Sequence, residues 1–366
     1  MRRPSLPLTL GVLAAVALLG YVFFLVTRPG DRQATNGAGP PATSRSATPG
    51  PPVVFPPSGK VFLGLGTDPG PYDFAPVDAF VAATRHQPAA LQFSQGWAHH
   101  QFDRALFDRI ADRSMLPILS WEPWDYTASG PSQTHGEQPA YRLSRIANGE
   151  FDEYVRSWAQ GIKDLGYPVA VRFGHEMNGF WYPWCEQSNG NRPGDYVKAY
   201  HRIHRIFTEA GADKVTWLWS PNVTYPGAEP LKGLYPGDRY VDWIGLSGYY
   251  GTPGVEQYRS FDRIFDATID ELRRFTKRPI VITETGASNA TGRRAQWIRE
   301  MFRQLPQRPD IIGVIWFETV KDLDWRIATV PDAAQAFAEG SRHPRYNVAW
   351  SRSTVPLTEV RVPAGG

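Results

Sequence analysis

Cysteine is nearly absent from this chain of 366 residues, and the shortage limits the chemistry that the protein can perform. A single residue, Cys185, excludes an intramolecular disulfide, a cysteine-rich zinc site and an iron–sulfur cluster held within one chain. A strong charge of one sign is missing too, because 39 Lys and Arg residues face 36 Asp and Glu residues and leave a net charge of +3. This balance argues against nucleic acid as a partner.

Several familiar motifs are incomplete. The glycines of Gly64-Leu65-Gly66 are followed by Asp68-Pro69, so a dinucleotide-binding loop lacks its third glycine. Gly179 stands where a zinc peptidase with His175-Glu176 would need its second histidine, and the segment 245–249 lacks the last glycine of a serine hydrolase elbow. A clustered Asp-His-His set for a metal-dependent deacetylase is also lacking. We therefore expect no cofactor and no metal site.

Charge is almost missing from residues 6–27, which follow Arg2 and Arg3. A helix of about 20 residues spans about 30 Å, the thickness of a bilayer core. With no small-x-small cleavage site nearby, we predict an uncleaved signal anchor, a transmembrane helix over 1–28. The arginines at its start predict a single-pass cell-membrane protein with the bulk of the chain extracellular, or a secreted protein if the segment is cleaved. Residues 29–58, rich in Pro, Ala, Ser, Thr and Gly, predict a linker.

Aromatic residues are plentiful, and hydrophobic residues reach 42%, which is enough for one large core. Eight short apolar runs alternate with amphipathic stretches long enough to be crossover helices. This alternation predicts an α/β protein, a (β/α)8 TIM barrel over 59–350 followed by a C-terminal tail over 351–366. The predicted strands are 61–66, 90–95, 116–121, 169–175, 214–220, 241–247, 279–284 and 312–317.

Carboxylates and large aromatic side chains collect where these strands end. In a parallel barrel that end carries the active site, and sugar polymers need aromatic faces for stacking and carboxylates for acid, base and nucleophile work. Glu176 follows the fourth predicted strand and Glu284 ends the seventh. Two such carboxyls facing each other about 5 to 5.5 Å apart would support cleavage with retention of configuration.

The segment 172–181, which reads Arg-Phe-Gly-His-Glu-Met-Asn-Gly-Phe-Trp, closely resembles glycoside hydrolase family 26. The best known members of that family are endo-β-1,4-mannanases with a (β/α)8 fold and a retaining mechanism, and the resemblance extends over about 61–349. It implies that Glu176 is the catalytic acid/base and Glu284 the catalytic nucleophile. It also implies a set of substrate-binding residues, which are His175, Trp181, Tyr249, Trp316, Trp121, Glu122, Arg172 and Asn178.

Within that set the resemblance gives individual roles. His175 would position the acid/base and contact the sugar, Tyr249 would hydrogen-bond the nucleophile, and Trp316 would form the platform under the sugar being cleaved. The chain departs from the mannanases at the end of the third strand, where Glu122 stands in place of their common histidine.

The predicted substrate is a polysaccharide, with β-mannan first. A mixed-linkage β-glucanase and a β-1,3-xylanase of the same family are alternatives, as is a membrane-tethered transglycosylase that processes exopolysaccharide. A glycan-binding protein without activity is the non-enzymatic alternative, and the presence of both glutamates argues against it. We expect a monomer whose N-terminal helix contacts the membrane.

Overall fold

The computed structural model of the protein describes residues 53–128, 137–252 and 257–359. Eight parallel strands, β2 to β9 below, close into a barrel in sequence order, which confirms the predicted fold. Each of these eight strands begins and ends within three residues of the corresponding predicted run. The described strands are β1 (Val53–Phe55), β2 (Phe62–Gly66), β3 (Ala90–Gly96), β4 (Leu116–Glu122), β5 (Val169–Phe173), β6 (Val215–Trp219), β7 (Trp243–Tyr250), β8 (Ile280–Ala287), β9 (Ile311–Phe317), β10 (Val320–Lys321), β11 (Leu323–Asp324) and β12 (Thr354–Pro356).

Helices cover the outside of the barrel. The longer ones are amphipathic; in the helix 152–165, for example, Val155, Trp158 and Ile162 recur at helical spacing and are buried. That helix begins with two acidic residues and ends at Gly166, whose positive φ permits the left-handed turn out of the helix. The described α-helices are α1 (Ala75–Thr84), α2 (Arg104–Ala111), α3 (Leu143–Asn148), α4 (Asp152–Leu165), α5 (Asp195–Ala210), α6 (Leu231–Leu234), α7 (Phe261–Leu272), α8 (Arg294–Gln304) and α9 (Pro331–Ser341).

The barrel strands are buried on both faces, which explains why their sequences are continuous apolar runs. All five residues of β5 are buried, and so are all seven of β4. Successive side chains alternate between the barrel interior and the surrounding helices. The carboxyl ends of β2 to β9 surround one opening, which we call the cleft.

The structured part begins earlier than predicted. β1, which falls in the last residues of the predicted linker 29–58, pairs in parallel with β12, which falls in the predicted tail 351–366. The ring of Phe55 is buried and lies 5.0 Å from the ring of Phe62 at the start of β2. This apolar contact packs 53–58 against the barrel. The last residues of the predicted linker and the first residues of the predicted tail therefore belong to the folded domain.

The predicted anchor 1–28 lies outside the described residues, as does the linker up to residue 52. Within the three described ranges, no helix combines the length and apolarity needed to cross a bilayer.

Candidate active site

Two donors hold the carboxylate of Glu284 in β8. Arg172 Nη1 donates to Glu284 Oε1 at 2.6 Å, and the hydroxyl of Tyr249 donates to Oε2 at 2.8 Å. A guanidinium and a phenol both stabilise negative charge on the carboxylate. Because 15% of the Glu284 side chain is exposed, it remains accessible to a substrate. These contacts suit an ionised carboxylate that attacks a carbon atom.

Arg172 is buried inside the barrel and has polar partners from several strands. Its Nε donates to Ser220 Oγ and its Nη2 donates to Ser247 Oγ, both at 2.9 Å, while Nη1 also reaches Ser120 Oγ at 3.2 Å. A buried guanidinium is tolerated only when its N–H groups find acceptors. The serines therefore fix the position from which Arg172 binds Glu284.

Glu176 lies in a sharp turn directly after β5. Gly174 and Glu176 both have positive φ angles, +50° and +55°, and the second is a costly conformation for a residue other than glycine. The backbone N–H of Glu176 donates to Ser220 O at 2.7 Å, which fixes the turn against the end of β6. The indole N–H of Trp181 donates to Glu176 Oε2 at 2.9 Å. The turn thus aims a buried carboxyl group at the cleft.

Electrostatics favour the protonated form of Glu176. Burial raises the pKa of Glu176 above its usual value, the negative charge of Glu284 raises it further, and the Arg172 guanidinium partly opposes both. A carboxyl group that keeps its proton in this way can donate it to a leaving group. The charge of Glu284 therefore acts on the pKa of Glu176, and the two glutamates predicted from the sequence have different hydrogen-bond partners.

His175 and Glu122 lie next to each other without a direct hydrogen bond. His175 Nδ1 is 3.9 Å from Glu122 Oε1, and it is buried with no hydrogen-bond partner among the described residues. Burial, followed by the charges of Arg172 and Lys321, lowers the pKa of His175 well below its usual value, so the ring is neutral. Burial also raises the pKa of Glu122, whose Oε2 accepts from Trp124 Nε1 at 2.9 Å.

Asn178 has a different position from the one predicted. Its side-chain amide donates to Asn222 O at 2.9 Å, its side-chain oxygen accepts from Asn222 N at 2.8 Å, and the residue is fully buried. Asn178 therefore ties the loop after β5 to the loop after β6 and is shielded from a substrate. Cys185 is a buried free thiol, and burial raises its pKa to about 12.

Two predicted substrate-binding tryptophans point away from the cleft. Trp121 is buried against Trp97 and Trp158, with ring centroids 4.8 and 5.3 Å away, and so faces α4. Trp316 is buried with its ring 6.0 Å from that of Trp297 in α8. The predicted contact of either indole with substrate is wrong, because both occupy outward positions of their strands.

Two aromatic residues take up places near the glutamates that the sequence did not single out. Trp325 lies 5.0 Å from Tyr249 between ring centroids, and its backbone oxygen accepts from Trp316 Nε1 at 2.9 Å. Tyr182 packs 5.0 Å from His175, and burial and three carboxylates raise the pKa of its hydroxyl well above the usual value.

Among the described residues, no group of three or more His, Cys, Asp and Glu side chains is arranged to hold a metal ion. The arrangement instead offers the donor-bound carboxylate of Glu284, the buried carboxyl groups of Glu176 and Glu122, and aromatic walls.

Comparisons with known proteins agree with this chemistry. The profile of Glycosyl hydrolase family 26 matches residues 135–305, a segment that contains both Glu176 and Glu284. The sequence is also 32% identical over 264 residues to Endoglucanase H of Acetivibrio thermocellus, covering 69% of this chain and 27% of that protein. The chain belongs to glycosyl hydrolase family 26.

Further matches to family 26 are shorter or more distant. Mannan endo-1,4-beta-mannosidase of Bacillus subtilis is 31% identical over 168 residues, which cover 44% of this chain and 40% of that protein. The chain thus spans less than half the length of either curated relative. A GH26 beta-mannanase structure from Bacteroides ovatus superposes with a TM-score of 0.60 over 84% of this chain and 94% of that chain. At 15% identity this likeness concerns the fold alone.

Proposed function

We propose that this family 26 protein is a retaining, endo-acting glycoside hydrolase that cleaves a β-linked polysaccharide, with β-mannan as its first candidate substrate. One observation carries the proposal. Glu284 is held by a cation and a phenol within β8, whereas Glu176 lies in the turn after β5, where burial and the charge of Glu284 raise its pKa. A retaining glycosidase needs this pair, an ionised nucleophile and a protonated acid.

In the mechanism we propose, Glu284 attacks the anomeric carbon while Glu176 donates its proton to the oxygen of the leaving sugar. The product is a glycosyl-enzyme in which the sugar is bonded to a Glu284 oxygen. Glu176, now ionised, takes a proton from water, and the water oxygen attacks the same carbon and releases Glu284. Arg172 and Tyr249 stabilise the charge that returns to Glu284 when it leaves.

A second candidate substrate is a β-glucan. It is favoured by Glu122, a buried carboxyl group beside His175 where mannanases of the family commonly have a histidine. The match to Endoglucanase H over 69% of this chain points the same way. We propose that the group at the end of β4 decides between the two polymers.

The sequence supports a further proposal on location. We propose that residues 1–28 anchor the protein in the cell membrane as a single pass and that a monomeric catalytic domain lies outside the cell. Cell fractionation shows whether the protein is in the membrane fraction. A protease added to intact cells shows whether the catalytic domain lies outside the cell. Both measurements are independent of activity.

The activity is tested with the full-length protein in detergent on glucomannan, galactomannan, mixed-linkage β-glucan and β-1,3-xylan. New reducing ends report cleavage, product lengths separate endo from exo action, and NMR of fresh product shows the anomer. The proposal is supported if the wild type cleaves mannan or glucan with retained β configuration and if Glu176→Ala and Glu284→Ala lose this cleavage. Inverted product, or cleavage unchanged in both variants, would overturn it.

A further inference from the structure

Few large apolar side chains of the described residues are exposed, and one of them stands beside the acid/base. The set is Val53, Val54, Tyr72, Phe180, Val320 and Val355. Phe180 is 50% exposed and lies four residues after Glu176. An exposed ring at the wall of a sugar-binding cleft is a surface on which the apolar face of a pyranose can stack.

Phe180 is held in place by contacts on both sides. Its backbone oxygen accepts from Ser188 Oγ at 2.5 Å. Its ring centroid is 5.3 Å from that of Trp181, with the two planes at 76°. Trp181 in turn folds back over Gly179, where an added Cβ would lie 2.6 Å from the indole. Phe180 therefore presents an ordered ring, and little entropy is lost when a ligand covers it.

The contacts of Phe180 indicate which sugars of a bound chain it borders. Phe180 contacts Trp181 and Trp181 donates to Glu176, whereas the hydrogen bonds to Glu284 come from Arg172 and Tyr249. In the proposed function Glu284 bonds to the sugar that stays, while Glu176 protonates the oxygen of the sugar that leaves. A ring linked through Trp181 to the acid/base, and not to the groups that hold Glu284, therefore borders the leaving sugars.

We propose that Phe180 is the stacking platform for a sugar of the leaving chain and, once that chain has left, for an acceptor sugar. The inference rests on the proposed function. With a β-linked oligosaccharide as acceptor, the hydroxyl oxygen of the acceptor bonds to the anomeric carbon and the bond from that carbon to the Glu284 oxygen breaks. The hydroxyl proton passes to Glu176, so the enzyme transfers the sugar chain as well as hydrolysing it.

The test compares two substrates that differ only in their leaving group. One is a β-1,4-linked oligosaccharide, of mannose or glucose according to the polymer cleaved, and the other is the β-glycosyl fluoride of its donor half, which has no leaving sugar. Phe180→Leu keeps the apolar volume but removes the flat face, whereas Phe180→Tyr keeps the face. We expect Phe180→Leu to lower kcat/KM for the oligosaccharide about tenfold and to leave the fluoride unchanged.

Acceptor binding gives a second readout. With the fluoride as donor and the matching disaccharide as acceptor, Phe180→Leu should lower the ratio of transfer to hydrolysis, and Phe180→Tyr should preserve it. Equal losses on both substrates, or no loss on either, would overturn the platform while the enzyme remains a glycosidase. A wild-type protein that cleaves none of these substrates would overturn the proposed function and this inference with it.

Discussion

Glu176 follows one strand of the barrel and Glu284 lies within another, and their surroundings differ. Glu284 is partly exposed and accepts hydrogen bonds from Arg172 and Tyr249. Glu176 is buried in a backbone conformation that is rare outside glycine, and burial and the charge of Glu284 raise its pKa. The comparison teaches that neighbours, rather than the side chain itself, decide which carboxyl group keeps its proton.

The difference implies that the two glutamates fail in different ways when they are removed. Loss of Glu284 removes the atom that bonds to the sugar. Loss of Glu176 removes only a proton donor, which a reactive leaving group can do without. Substrates with different leaving groups therefore separate the two roles.

The largest expected effect is that of Glu284→Ala. Without the carboxylate no glycosyl-enzyme forms, so kcat should fall on the order of 10⁵-fold on every cleaved substrate, including an activated glycosyl fluoride. Azide added to the variant should restore turnover and yield a glycosyl azide of inverted configuration. A fully active Glu284→Ala enzyme would end the assignment, and the control is a circular dichroism spectrum that shows the variant folded at the assay temperature, because Arg172 loses its counter-ion.

Glu176→Gln should have a smaller and selective effect. Because protonation of the leaving oxygen is lost, kcat/KM on the polysaccharide should fall about 10²- to 10⁴-fold, while formation of the glycosyl-enzyme from a glycosyl fluoride is spared. In the wild type, activity should fall as the pH rises through the raised pKa of Glu176, since the acid must be protonated. This alkaline limb should be missing from the pH profile of the variant, and its persistence would assign the limb to another group.

Tyr249→Phe sharpens the comparison from the side of the nucleophile. It removes one of the two hydrogen bonds to Glu284 and leaves the ring packed 5.0 Å from that of Trp325. A hydrogen bond to a charged group contributes about 1.5–3 kcal/mol, so kcat/KM should fall about 10- to 100-fold. Both the polysaccharide and the glycosyl fluoride should be affected, in contrast to Glu176→Gln. A loss confined to the polysaccharide would place Tyr249 with the acid instead.

Local sequence patterns were enough to predict the barrel and the two glutamates. Continuous apolar runs mark strands buried on both faces, and the strand ends bring Glu176 and Glu284 to one opening. Arg172 was also predictable, since it lies two residues before the turn and faces the same interior.

The orientation of Trp121 and Trp316 was harder to predict, because nearness to a strand end does not determine the face on which a side chain lies. Ser120 contacts Arg172 and Glu122 approaches His175, so the residue between them points outward to the helices. Trp325 follows the short hairpin of β10 and β11, and its contact with Tyr249 joins residues 76 positions apart without any local pattern. Such contacts follow from the packing of the whole barrel.

Glu318, directly after β9, is another buried carboxyl group and extends the comparison. Burial raises its pKa from 4.5 to about 7, although the backbone N–H groups of Ile327 and Ala328 donate to it at 2.7 and 2.8 Å. Between these pH values the folded state retains a proton that the unfolded chain has lost. The free energy of unfolding should therefore decrease as the pH rises through this range, by at most about 3 kcal/mol.

Glu318→Gln should remove this decrease, because an amide cannot ionise, although its nitrogen cannot accept the second of the two backbone N–H groups. Urea unfolding at pH 5 and pH 8 measures it: the wild type should be the more stable protein at pH 5, and its advantage over the variant should shrink at pH 8. If the free energies of unfolding of the two proteins differ by the same amount at both pH values, Glu318 does not titrate in this range. None of the hydrogen bonds of Glu318 in the described residues goes to Glu176 or Glu284, so kcat should change little. A raised pKa then marks a catalytic acid only where the carboxyl group also faces a nucleophile across the cleft.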